Sequence, residues 1–246
     1  MQFESGIDFA RKLDDIDPLA RFQQEFSIPT RPDGSREIYL CGNSLGLQPK
    51  RARDYITQEL DKWASLGVKG HFDCDFPWMP YHEFLSESSA ALVGAQTDEV
   101  VVMNSLTVNL HLMMVTFYRP TRKRYKIVIE DHAFPSDHYA VESQLRHHGV
   151  DPQDGLLLLK PREGEELLRI EDIAALIERE GDSIALMLLP GVQYYTGQLL
   201  PMAELTQLAR GRASVSASIW PTRWATFPCS CTTGMWISPA GVATNT

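Results

Sequence analysis

Between Val100 and Arg212 short apolar runs alternate with amphipathic stretches, and this rhythm constrains the fold more than any other feature. VVVM (100–103), KIVIE (126–130), GLLLLK (155–160) and SIALMLLP (183–190) read as strands. SLTVNLHLMMVTFY, PSDHYAVESQLRHHG (closed by Gly149), RIEDIAALIERE and PMAELTQLARGR read as the helices between and after them. Strands apolar at nearly every position have both faces covered. The pattern therefore implies an α/β fold, a mainly parallel sheet flanked by helices. The rhythm stops after Arg212, although such a sheet needs further strands, so the α/β domain is expected to be incomplete on its C-terminal side.

Ahead of this region, Ile7, Phe9, Ala10 and Leu13, then Leu19, Phe22 and Phe26, suggest two short helices. A short strand is expected at Ile38–Leu40, followed by a turn at Gly42-Asn43. A helix over about residues 51–66 should bury Ala52, Ile56, Leu60 and Trp63, and Gly67 and Gly70 should break it. Phe84, Leu85, Ala91 and Leu92 mark another helix, ending at Gly94. Three segments result: 1–50, 51–212 and a tail, 213–246, expected to be disordered.

The 246 residues carry a net charge of −9, which disfavours nucleic acid or an anionic membrane as partner. Cys41, Cys74, Cys229 and Cys231 lack paired C-x-x-C spacing, so no metal site is expected. Few cysteines, no export segment and no bilayer-length apolar run point to a cytoplasmic protein without a membrane partner.

In parallel sheets, ligands bind where strand ends lead into helices. NSLTVN (104–109) opens one such helix. A plain N-cap by Asn104 or Ser105 is its simplest reading, and a phosphate cradle is the other. EDHAFPSDHY gathers Asp131, His132 and Asp137 around Phe134, with Pro135 able to start a helix. A planar cofactor could stack on Phe134 or His132, or the segment is only a capped helix entry. LPGVQYYTGQ (189–198) sets two tyrosines and a threonine between glycines, an aromatic loop of the kind that binds ligands. His147 and His148 suit the negative end of a helix better than a metal.

Together, YLCGNSLGLQP, MNSLTVNLHLMM, EDHAFPSDHYAVESQ and GVQYYTGQ, in this order from about residue 8 to residue 211, resemble the kynureninase family. The resemblance implies a pyridoxal-phosphate (PLP) enzyme of the aspartate-aminotransferase fold, type I. Such an enzyme is a homodimer that cleaves L-kynurenine, or 3-hydroxykynurenine, by hydrolysis; L-kynurenine gives anthranilate and L-alanine. By the same resemblance Leu106 and Thr107 hold the cofactor phosphate, and Phe134 stacks on its ring. Pro135, Ser136 and Asp137 line the site, and Tyr195 reaches towards the phosphate. Ser44 and His71 stand on the substrate side, and residues 1–50 supply the substrate-side segment. The helix start at Asn104 is thereby recast as a phosphate cradle. Aminotransferases and cysteine desulfurases share the fold, but GNSLG with AFPSD matches the kynurenine-cleaving branch.

One departure bears on activity. The family continues into a Phe-Asp-Leu-Ala-His segment and then a Tyr-Lys pair that supplies the Schiff-base lysine. Neither is present: no Lys follows Lys160 and no Asp follows Asp182. Reading the third base of each codon with the first two of the next, permitted codons from Ser216 onward spell Gly-Phe-Asp-Leu-Ala-His and later Gly-Gly-Tyr-Lys-Tyr. Four positions allow no choice, because Trp and Met have single codons. Trp220-Pro221 must yield Ala, Trp224-Ala225 Gly, Met235-Trp236 Val and Trp236-Ile237 Asp, all as the family reading requires. A frameshift near residues 212–216 is therefore expected, leaving this chain without a catalytic lysine.

Overall fold

The computed structural model describes residues 3–42, 44–211, 215–219, 236–238 and 241–243, with side chains described as far as Ala209. Most of the tail, Asn43 and Arg212 lie outside the described residues. The chain divides into two compact units, Met1–Trp78 and Met79–Thr246.

In the first unit, α1 (Ile7–Ile16) is followed by a 3₁₀ turn at Ala20–Glu25. Strands β1 (Phe26–Ser27) and β2 (Gln48–Pro49) pair antiparallel. Helix α2 (Arg51–Leu66) ends where Gly67 takes φ 52°, a left-handed value that suits glycine. Two expectations are corrected here. Ile38–Leu40 is not a strand, and Ile38 and Leu40 stand exposed; among the described residues no second strand pairs with them. Helix α2 forms where its 3.6-residue period places it, yet Ile56, Leu60 and Trp63 are 56–67% exposed. Periodicity sets a helix's apolar face but not what covers it, and no described element of this unit does so.

The second unit holds a six-stranded sheet in the order β4-β3-β5-β6-β7-β8. Its strands are β3 (Lys126–Glu130), β4 (Leu156–Leu159), β5 (Ile184–Pro190), β6 (Val215–Ile219), β7 (Trp236–Ser238) and β8 (Gly241–Ala243). All neighbouring pairs are parallel except β7 with β8. Strands β6 to β8 are backbone within the tail that the sequence reading expected to be disordered. The helices are α3 (Ser86–Val93), α4 (Leu106–Phe117), α5 (Pro135–His147), the single turn α6 (Pro152–Gly155), α7 (Ile170–Glu180) and α8 (Met202–Gly211).

Alternate side chains of β3, β4 and β5 leave on opposite faces, and both faces are packed. Val128, Leu157, Leu159, Met187 and Leu189 meet α3, α7 and α8 through Ala90, Val93, Ile173, Ile177, Met202 and Leu205. Ile127, Ile129, Leu156, Leu158, Leu186 and Leu188 meet α4 and α5 through Leu110, Met114, Ala140, Val141 and Leu145. This double covering explains the unbroken apolar strands. Leu145 is fully buried in the second layer. Leu145→Ala should lower unfolding free energy by about 2–5 kcal/mol in urea melts; a change within experimental error would contradict this packing.

Val100–Met103 is not a strand, a further correction. Val100 packs into the first core layer, but the segment pairs with no strand among the described residues.

Candidate functional site

The loops after β3 and β5 and the entry to α4 carry most of the residues singled out from sequence. Glu130 ends β3, and the Ala133 N–H turns back to donate to its carbonyl at 3.1 Å. Phe134 occupies the N-cap of α5 with Pro135 behind it, where a fixed φ and a missing N–H cost nothing. The Phe134 carbonyl accepts from the N–H groups of Asp137 and His138 at 2.9 and 3.1 Å. Its ring is half exposed, whereas the neighbouring Asp137 is buried. Burial holds the Asp137 carboxyl above the usual carboxylate range, and a hydrogen bond from Ser136 Oγ partly offsets this. Glu130, unmarked by the sequence reading, is pushed up to about 7. Burial is the main cause; a bond from its own backbone opposes it and the charge of Asp137 adds to it.

After β5, the Gly197 N–H donates to the Gln193 carbonyl, closing a turn that Gly197 permits with φ 71°. Inside this turn the buried Gln193 side chain accepts from the backbone N–H groups of Tyr195 and Thr196 at 2.6 and 2.9 Å. Its amide donates at 2.7 Å to the carbonyl of His132 in the other loop. The Tyr194 ring stands edge-on to Phe134, centroids 5.2 Å apart. Tyr195 is 78% exposed, its ring 6.4 Å from that of Tyr194.

At the entry to α4, Asn104 adopts φ 45°, and Ser105 takes the N-cap position with extended dihedrals. No side chain caps the helix, which corrects the plain-cap reading. Uncapped N–H groups in the first turn, at the positive end of the helix, suit an anion. Asn109, buried, holds this entry by donating from Nδ2 to the Met103 carbonyl at 2.8 Å, while its Oδ1 finds no partner. Leu106 is half buried and packs on the same core layer as Ala133, just ahead of Phe134. Thr107 is half buried as well.

The structure thus joins His132 and Phe134 to the 193–196 turn, with Ser136 bonded to Asp137 just beyond, and packs Leu106 on the core layer that Ala133 also meets. Ser44 and His71 belong to the first unit. Ser44 is exposed in a turn closed by its N–H to the Cys41 carbonyl at 2.9 Å. His71 packs edge-on against Trp78 at 5.2 Å, and the Trp78 indole donates to Glu59 of α2 at 2.5 Å. Gly70 makes room for that indole: a Cβ there would come within 2.8 Å of its ring. Among the described residues no cluster of His, Cys, Asp or Glu could hold a metal, and no helix is long and apolar enough to cross a membrane.

An uncapped helix start, a half-exposed ring and a buried carboxyl thus stand at helix entries on the strand-end side of this sheet. No family model matches the chain. It is 59% identical over 215 residues to a kynureninase of Koribacter versatilis, covering 87% of the chain and 51% of that protein. It is 55% identical over 210 residues to one of Myxococcus xanthus, covering 85% of the chain and 49% of that protein. The chain thus spans about half the length of the curated relatives it matches. Among solved structures, a variant of C-DES with glycine covalently linked to its PLP cofactor superposes with a TM-score of 0.61 at 16% identity. That match covers 82% of the chain and 54% of the C-DES chain, and at such identity it speaks for a shared fold only. Identity above one half, sustained over more than two hundred residues, places this chain in the kynureninase family.

Proposed function

We propose that this chain is the cofactor-binding half of a kynureninase, whose whole protein takes L-kynurenine or 3-hydroxykynurenine and hydrolyses the former to anthranilate and L-alanine. The observation that carries the reading is the pairing of a half-exposed Phe134 with a buried Asp137 at the end of β3. The backbone N–H groups of Leu106 and Thr107 would take the phosphate, and the ring of Phe134 would cover one face of the pyridine. Pro135 and Ser136 would shape the wall beside Asp137, and Tyr195 would extend towards the phosphate. Ser44 and His71 are proposed as substrate contacts of the whole protein, which works as a homodimer. Bound PLP supplies an electron sink for the amino-acid part of the substrate.

This chain itself is proposed to be a non-catalytic piece that takes up PLP weakly or pairs with a full-length subunit, because the cofactor-linking lysine is absent. Family sequence in a shifted frame is proposed to lie behind residues 213–246; the four forced codon pairs support this. Resequencing the coding DNA from fresh template tests it, and a locus with no family-like continuation in either shifted frame would refute it.

Titrating the chain with PLP, followed by absorbance, tests the cofactor reading. Phe134→Ala should weaken uptake about tenfold, the scale of losing one ring contact and its buried area. Unchanged affinity would remove Phe134 from the site.

A further inference from the structure

We propose that Gln193 is a positioning residue of this site: its carboxamide locks the loop bearing Phe134 to the loop bearing Tyr195. The proposal rests on the cofactor reading above. Gln193 is 5% exposed, and each end of its amide is committed to a different loop. Nε2 donates to the carbonyl of His132, two residues before Phe134, while Oε1 accepts from the N–H groups of Tyr195 and Thr196. The orientation is forced, since turning the amide over would set two acceptors against each other and two donors against each other. The loops also meet through the Phe134–Tyr194 ring contact, between two partly exposed side chains. Ring contacts tolerate sliding in a way that a buried, fully oriented amide does not. The relative placement of the ring-covering and phosphate-reaching residues therefore depends on one glutamine.

Gln198 provides an internal control. It ties the far end of the same turn to Leu168 by an equally directional pair, accepting from its N–H at 2.9 Å and donating to its carbonyl at 2.7 Å. No proposed cofactor contact lies there.

The test uses the 246-residue chain and three variants, Gln193→Glu, Gln193→Leu and Gln198→Leu, with residue-resolved hydrogen exchange, melting temperature and PLP titration. A carboxylate at 193 still accepts from Tyr195 and Thr196 but has nothing to donate to His132. Gln193→Glu should therefore speed exchange at Ala133 and leave Tyr195 and Thr196 protected, whereas Gln193→Leu should speed both. Both should weaken PLP uptake about tenfold, the neutral Leu variant excluding a simple charge effect on the phosphate. Gln198→Leu should cost as much melting temperature while leaving PLP affinity unchanged. Wild-type exchange at Ala133 in Gln193→Glu, or equal affinity losses in all three variants, overturns the proposal. If the unsubstituted chain takes up no PLP, the cofactor reading fails by itself, and the exchange rates alone uphold or reject the coupling.

Discussion

The purified chain, supplied with PLP and L-kynurenine, should release no anthranilate above a protein-free blank. Covalent cofactor chemistry needs an amine delivered at one place with its proton free to move, and the side chains here do not provide it. Lys126 opens β3 rather than ending it, and its ammonium is bonded to Glu180 at 2.9 Å. Lys160 follows β4 on the strand-end side of the sheet, but it is solvated and its nearest carboxylate, Asp131, is 4.0 Å away. Turnover should fall roughly 10⁴-fold or more below that of an intact relative. Anthranilate fluorescence measures it directly. A signal that survives repurification and disappears in Lys160→Ala would show that Lys160 has taken over the role.

Glu130→Gln should stabilise the chain at pH 8 and leave it nearly unchanged at pH 4. In the unfolded chain this carboxyl ionises near 4.5, and in the folded chain only near 7. Folding therefore keeps a proton that the unfolded state has lost. Stability falls as pH rises through the window from 4.5 to about 7 and levels off above it. The full penalty, reached above pH 7, is about 3 kcal/mol. Glutamine has nearly the same shape and no charge to bury, so it removes that slope, less the bond from the residue's own backbone. The upward shift at Asp137 has the same sign and stays in the variant, so some pH dependence persists. Urea melts of both proteins at the two pH values decide the matter. An equal difference at both would mean that Glu130 is not the titrating group.

The sheet was legible because burial on both faces leaves a local trace: consecutive apolar residues such as those of Ile184–Pro190. The start of α5 was legible for a similar reason, since Phe-Pro-Ser-Asp states its own helix entry. Pairing leaves no such trace. Val100–Met103 is as apolar as a strand, yet whether another strand lies beside it depends on distant sequence. The stripe on α2 was visible, but its exposure was not. Gln193 carries no local signal at all: a glutamine in a loop resembles any other, and its partner in the other loop is 61 residues away. Asn104 and Ser105 misled in the opposite direction, for their side chains have the chemistry of a cap and the structure leaves it unused.

Strand β5 lies between β3 and β6, although it is made more than fifty residues after β3. Synthesis from the N-terminus, at roughly 5–20 residues per second, gives β3 its first neighbour in β4 and keeps the other side open until Ile184–Pro190 leaves the ribosome. For several seconds the nascent chain thus presents an unpaired strand edge with an apolar centre, Ile127–Ile129, a template for pairing with other chains. Slowing translation between the codons for residues 160 and 184 would lengthen that interval, and the yield of soluble protein would fall with it.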